Sequence, residues 1–258
     1  MLTEQQIRLS GDRQVTVYQS GTGPAVLYLH GLYGVTLDVP LIEALAQRYT
    51  VFAPLAPGFA DLAELDHLHD IHDLALQYDD VLDALELDRA QVVGHSFGAM
   101  IAAELAAHVP ARVSRLVLLS PLGLWNDAYP VADLWGVPPS ELPGLLYADP
   151  SRAPAGSPGQ TLDVEAAVAA VRGMTAVARF LWPLPDRGLS RRIGRARMPT
   201  LVIHGEHDRF VPVQYAHDLV GLLPNASVEI IPGAGHMLTV EALDAVVQMI
   251  GTRMEVHA

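Results

Sequence analysis

The 258-residue chain is predicted to fold as an α/β protein: a mostly parallel β-sheet flanked by helices, interrupted by a mainly helical insertion. Three observations carry that expectation. Short apolar runs bounded by turn residues alternate with stretches of helical spacing, the mark of strand–helix–strand units. The stretch Gln91-Val92-Val93-Gly94-His95-Ser96-Phe97-Gly98-Ala99-Met100 reads as a buried strand, a very tight turn and a helix. The alternation then lapses between Leu122 and about Met198, where prolines crowd and Trp125, Trp135 and Trp182 all fall, and resumes afterwards.

The elements follow in order. Ile7 to Ser10 and Gln14 to Gln19 alternate around Gly11-Asp12, which predicts a hairpin. Ala25 to Leu29, after the Gly21-Thr22-Gly23-Pro24 loop, is a short apolar run of the kind found in buried parallel strands, and His30-Gly31-Leu32-Tyr33-Gly34 follows it. Leu37 to Arg48 has helical spacing at Leu41, Ile42, Leu45 and Ala46. Thr50 to Ala53 is a strand closed by Pro54, Pro57 and Gly58. Asp70 to Leu87 is an amphipathic helix with apolar positions at Leu74, Tyr78, Val81, Leu82 and Leu85. The helix after the tight turn ends at Pro110, and Val113 to Leu119 is the next strand. In the insertion, Pro150 to Gly159 reads as a loop and Val164 to Leu181 as a helix. Leu189 to Ala196 reads as a helix in a basic stretch holding Arg187, Arg191, Arg192, Arg195 and Arg197. Strand Thr200 to His204, helix Val213 to Leu223, strand Ser227 to Ile231 and helix Thr239 to Met254 complete the pattern. The division is a core of residues 1–121 and 198–258 around an insertion of 122–197.

Composition narrows the function. The formal net charge is −13, which argues against nucleic acid and anionic membranes as partners. With no cysteine, disulfides, thiolate metal sites and cysteine catalysis are excluded. Met1-Leu2-Thr3-Glu4-Gln5-Gln6 is polar and lacks the layout of a signal peptide, and no run has the roughly 18 apolar residues that span a bilayer. The expectation is a soluble cytoplasmic protein without cofactor or metal.

In open α/β sheets, ligands bind beyond the carboxyl ends of the strands. That rule gathers the loops at 31–34, 57–61, 94–98, 205–212 and 233–236. Gly94-x-Ser96-x-Gly98 is the nucleophile-elbow pattern. A serine on so sharp a turn takes strained backbone angles, and residues two places to either side press on its backbone and must be small. The helix beyond aims free N–H groups at developing negative charge. A serine hydroxyl needs a base, and the base needs an orienting group. His236 follows the last strand and Asp208 the preceding one, so the chain order is Ser96, Asp208, His236.

These features resemble the α/β-hydrolase fold superfamily over nearly the full chain. The matching pieces are His30-Gly31, Pro57-Gly58-Phe59, the elbow at Ser96, Gly205-x-x-Asp208-x-x-x-Pro212 and Gly235-His236. The resemblance implies a two-step acyl transfer in which Ser96 attacks, His236 takes its proton and Asp208 orients the imidazole. It also implies an oxyanion hole from the backbone N–H groups of Phe97 and Leu32, and a cap domain in the insertion.

Blander readings apply to the neighbours. Asp208 could instead cap the helix near Val213, and Glu206 and Asp127 are rival acids; His217 and His257 sit outside the histidine motif. His30 reads as structural, and His95 as a residue that shapes the pocket or satisfies backbone groups. Asp61 is given no role. The run Asp66 to Asp73 invites a metal reading through His69 and His72 or Asp73, but a polar helix start accounts for it. The tryptophans read as packing of the insertion, with one lining an acyl pocket as the alternative. The arginines from Arg187 to Arg197 read as a solvated face, or as a greeting for an anionic substrate.

The serine nucleophile disfavours relatives that use aspartate. Gly94-His95-Ser96 and His236-Met237 depart from the Gly-Asn-Ser and His-Trp that carbon–carbon bond hydrolases of meta-cleavage pathways often carry. Leu32 departs from the aromatic residue of perhydrolases, and Phe97 from the Trp of proline iminopeptidase-like elbows. The expectation is an ester or lactone hydrolase acting on a small-molecule substrate. A C–C or amide hydrolase and a ligand-binding receptor remain as alternatives.

Overall fold

The structure, a computed structural model, describes residues 2–154 and 164–254. Eight strands are formed: β1 (Thr3–Arg8), β2 (Gln14–Ser20), β3 (Ala25–Leu29), β4 (Thr50–Pro54), β5 (Ala90–His95), β6 (Val113–Leu119), β7 (Thr200–Gly205) and β8 (Ala226–Ile231). They make one sheet in the order β1-β2-β4-β3-β5-β6-β7-β8. β1 and β2 pair antiparallel, as do β2 and β4, and every other pair is parallel. The α-helices among the described residues are α1 (Val39–Leu45), α2 (Ile71–Ala84), α3 (Phe97–His108), α4 (Leu142–Leu146), α5 (Val164–Leu181), α6 (Gln214–Leu222), α7 (Leu238–Glu241) and α8 (Leu243–Met254).

Burial explains the sequence pattern. Every residue of β5 and β7 is buried, the polar Gln91, His95, Thr200 and His204 included, as in central parallel strands covered on both faces. Within β3 the side chains still alternate between two layers. Leu27 and Leu29 pack towards α2 and α3, while Val26 and Tyr28 pack towards α1 and α8. Helix α3 lies behind the elbow and is buried from Phe97 to Ala107, which suits its alanine-rich, all-round apolar sequence. Its one acidic residue, Glu104, is fully buried and receives Arg192 Nε at 2.7 Å and Nη2 at 2.6 Å from the inserted segment.

Several boundaries differ from the expectation. β1 begins at Thr3 rather than Ile7, because an edge strand with little burial can pair along a polar stretch. The helix expected from Leu37 is a short 3₁₀ turn, Thr36–Asp38, followed by α1. The last helix is broken at Ala242 into α7 and α8. The stretch Leu189 to Ala196 forms two 3₁₀ turns, Leu189–Arg191 and Ile193–Arg195, rather than a helix, in a sequence punctuated by Gly188 and Gly194. Between β6 and β7 the described residues hold only helices, 3₁₀ turns and irregular chain, and α5 has the bounds expected of it. Part of the expected loop from Pro150 to Gly159, and His257, lie outside the described residues. Among the described residues no helix is long and apolar enough to cross a membrane.

Candidate active site

The elbow is built as its spacing demands. Ser96, between β5 and α3, has φ 56° and ψ −117°, a left-handed backbone uncommon for a residue with a side chain. A Cβ on Gly98 would collide with the carbonyl oxygens of Leu29 and His30, and one on Gly94 with Gly98 O and the backbone of Ala99. Both glycines are therefore required by close approach. Phe97 is the first residue of α3, so its N–H has no partner within the helix. Gly31, next to Leu32, lies so close that a Cβ there would sit 3.3 Å from Ser96 Cβ.

Ser96, Asp208 and His236 converge from three loops at the carboxyl edge of the sheet. His236 Nε2 lies 2.7 Å from Ser96 Oγ, and Nδ1 lies 2.7 Å from Asp208 Oδ2. All three residues are buried. Asp208 Oδ1 accepts the backbone N–H groups of Phe210 at 3.0 Å and Val211 at 2.8 Å. His204 Nε2 adds a contact at 3.1 Å to Oδ2 while also bonding Val211 O at 2.8 Å. Burial alone would raise the Asp208 carboxyl; the charge of His236, with the bonds from His204 and His236, holds it well below the usual carboxylate range. Burial pulls the His236 imidazole below its ordinary value, and neighbouring Asp208 offsets this only in part. A neutral imidazole facing a serine hydroxyl on one side and a carboxylate on the other is the arrangement that can remove the hydroxyl proton.

The alternative acids are elsewhere. Glu206 is exposed and accepts Gly233 N–H at 3.0 Å, and Asp127 accepts Trp125 Nε1 at 2.8 Å. Asp208 does not cap α6, which has no side-chain cap. His30 donates from Nδ1 to Gly31 O at 2.7 Å and accepts Ala56 N–H at Nε2, 2.9 Å, so it ties the 30–34 loop to the chain after β4. Asp61 caps a short turn by accepting Ala63 N–H.

In the histidine-rich run, Asp70 caps α2 through the N–H groups of His72 and Asp73, and Asp73 accepts His69 N–H. His72 Nδ1 instead meets His108 Nε2 at 2.8 Å. Ligand atoms of His72, Glu104 and His108 lie within 4.8 Å of one another, but Glu104 is engaged by Arg192.

The pocket in front of Ser96 is narrow, with apolar walls from Leu32, Tyr33, Leu37, Leu146, Phe210 and Met237. No tryptophan and no arginine lines it among the described residues. Trp125 and Trp135 pack against the core at the insertion, whereas Trp182 is 57 % exposed and is not core. Arg187 donates to Phe180 O and Trp182 O within the insertion, whereas Arg192 ties the insertion to Glu104 of α3.

Four contributors have no motif of their own. Asp38 lies 3.2 Å from His95 Nδ1, and both are buried. Ser120 has φ 45°, is fully buried and donates to His236 O at 3.1 Å. His204 supports Asp208. Glu241 accepts N–H groups from Ala148, Asp149 and Gly235, and so joins the insertion to the His236 loop. The backbone N–H of His236 also bonds Leu146 O of α4, at 2.9 Å. Ser120 and His204 each stand at the carboxyl end of an apolar parallel strand. A polar residue at that position is the signal that could have found them.

Comparison with known proteins bears on the fold and the family. A 2-hydroxy-6-oxononadienedioate/2-hydroxy-6-oxononatrienedioate hydrolase of Comamonas testosteroni is 29% identical over 262 residues, covering 90% of this chain and 88% of that protein. The solved 2-hydroxy-6-oxo-6-phenylhexa-2,4-dienoate hydrolase of a Rhodococcus species superposes with TM-score 0.78 at 21% identity, covering 99% of each chain. The naproxen esterase of Bacillus subtilis superposes at 0.75 with 20% identity, covering 99% of this chain and 92% of that one. At those identities the two structures speak for the fold alone. The alpha/beta hydrolase family model matches residues 26–249, and the chain belongs to that family.

Proposed function

We propose that the protein is a serine hydrolase that cleaves a carboxylic ester or lactone of a small to medium apolar substrate through an acyl-enzyme. The observation that supports this most is the continuous relay from Ser96 Oγ through His236 to Asp208, with both contacts at 2.7 Å. Ser96 Oγ bonds to the substrate carbonyl carbon as its proton passes to His236 Nε2. The oxyanion lies against the N–H groups of Leu32 and Phe97; losing one such donor commonly costs about 10²–10³ in rate. His236 then protonates the leaving alkoxide as the C–O bond breaks. Water, deprotonated by His236, releases the acid. Residues 122–197 act as the cap, with Leu146 of α4 forming part of the pocket wall. The same reading takes the protein as cytoplasmic, acting on a small molecule rather than on nucleic acid or membrane.

A second reading is a C–C bond hydrolase, favoured by the Comamonas relative, which aligns over nine-tenths of this chain. The pocket favours the ester. A dienoate carries a carboxylate, and the described lining residues offer it no lysine or arginine.

The test is turnover of p-nitrophenyl esters from acetate to palmitate, beside a 2-hydroxy-6-oxo-dienoate, by wild type and Ser96→Ala. The ester reading expects hydrolysis of short esters, lost by at least about 10⁴-fold in Ser96→Ala with little change in Tm. Turnover of the dienoate alone would select the second reading. Ester hydrolysis retained in Ser96→Ala would overturn the nucleophile.

A further inference from the structure

Four buried histidines surround the site, and their partners assign their protons. His30 meets one acceptor and one donor. His236 meets the Asp208 carboxylate and the Ser96 hydroxyl, which can donate. His204 meets acceptors through Nε2 alone, while Nδ1 has no hydrogen-bond partner. The partners of His30 and His236 are satisfied by a neutral ring. His95 differs. Its Nδ1 faces the Asp38 carboxylate at 3.2 Å, and its Nε2 faces the His236 carbonyl at 3.4 Å. Both nitrogens face acceptors, the arrangement that an imidazolium, with a proton on each nitrogen, satisfies.

We propose that Asp38 and His95 form a buried charge pair that positions the general base: the His95 cation, anchored by Asp38, holds the carbonyl of His236 and disfavours a second positive charge on the His236 ring. This rests on the reading of His236 as the base of a serine hydrolase. The geometry places the cation between Asp38 and His236, with ring centroids of the two histidines 5.9 Å apart. Ser120 Oγ holds the same carbonyl from the other strand end. Packing alone does not account for the pair, since a buried ion pair is seldom a net source of stability.

Around His95 stand Asp38 on the turn before α1, His30 after β3, and Asp208 and His236 on the two catalytic loops. The Tyr28 and Thr239 hydroxyls lie beside Asp38. Burial pulls His95 down, but Asp38, the His236 carbonyl and Asp208 together raise it above its ordinary value. Burial pushes Asp38 up, and His95 above all brings it below its ordinary value. His95 in turn lowers His236, whereas Asp38 lies on the far side of the His95 ring. Neutralising the pair should therefore raise the pH at which His236 takes its proton.

The experiment is the imidazole NMR titration of His236 in the full-length protein, with the pH profile of kcat/KM for p-nitrophenyl acetate, in wild type, Asp38→Asn, His95→Gln and the double variant. The expected result is an upward shift of the His236 midpoint by about 0.5–1 unit in each single variant. The acid limb of kcat/KM should follow it. The double variant should shift no further, because the two residues act as one unit. kcat should fall roughly tenfold, equivalent to about 1.4 kcal/mol, with KM within about twofold. A His236 midpoint unchanged in Asp38→Asn and His95→Gln, or shifts that add in the double variant, would overturn the proposal. If Asp38→Asn does not fold, His95→Gln alone decides by the same shift. A wild type that turns over no ester would sink the ester reading, while the NMR titration would still judge the charge pair.

Discussion

Two carboxylate–imidazole pairs flank Ser96, and their imidazoles are shifted in opposite directions, His95 upward and His236 downward. In the Asp208–His236 pair the acid is saturated by two backbone N–H groups, His236 and His204, while the imidazole keeps one nitrogen free to accept from Ser96. In the Asp38–His95 pair the imidazole has an acceptor at each end. Burial is similar, so burial does not decide the outcome; the identity of the second partner does. A hydroxyl at Nε2 suits His236 to act as the proposed base, and a carbonyl at Nε2 suits His95 to the proposed cationic form.

The comparison breaks most sharply at Asp208. Asp208→Asn should lower kcat/KM by about 10⁴-fold, as an imidazole without its carboxylate loses tautomer and charge compensation. A loss below tenfold would mean that the acid lies elsewhere. His204→Phe should lower the rate roughly tenfold and reduce Tm, because Val211 O is left unpaired at a cost of about 1–3 kcal/mol. Unchanged kinetics and melting would remove His204 from the support of Asp208.

The pH profile sharpens the contrast further. A base whose pKa is lowered stays unprotonated to lower pH, so the acid limb of wild-type kcat/KM should have its midpoint below about 6.5. A midpoint above that value would mean that His236 is not the depressed imidazole described here. The smallest effect is expected at the exposed rival: Glu206→Gln should change kcat/KM by less than about twofold, and a larger loss would reopen the assignment of the acid.

The readability of these features from sequence follows the strength of their local constraints. The elbow was legible because its constraint is steric and contiguous: Gly94 and Gly98 must lack a Cβ where Leu29, His30 and Ala99 approach. His236 and Asp208 were legible because each follows a strand within a recognisable loop. Asp38 was not, since its only mark is a contact with a residue 57 positions away. His95 was noticed as pocket-shaping, but its charge depends on Asp38 and on a carbonyl 141 residues distant. Within the insertion α5 was legible, with the bounds its spacing predicts, yet the rest was not. Gly188 and Gly194 flank turns rather than a helix, and Trp182 faces solvent. His95 and Met237 also weighed against the C–C hydrolases, although such enzymes stand among the curated relatives. Two positions discriminate less than a whole pocket does.

The most direct test of the central claim is labelling with a fluorophosphonate, followed by intact mass and peptide mapping. One label per chain, on Ser96, absent in Ser96→Ala and slowed in Asp208→Asn, is the predicted result. Labelling at another residue, or none on a folded wild type, would contradict the assignment of Ser96 as an activated nucleophile.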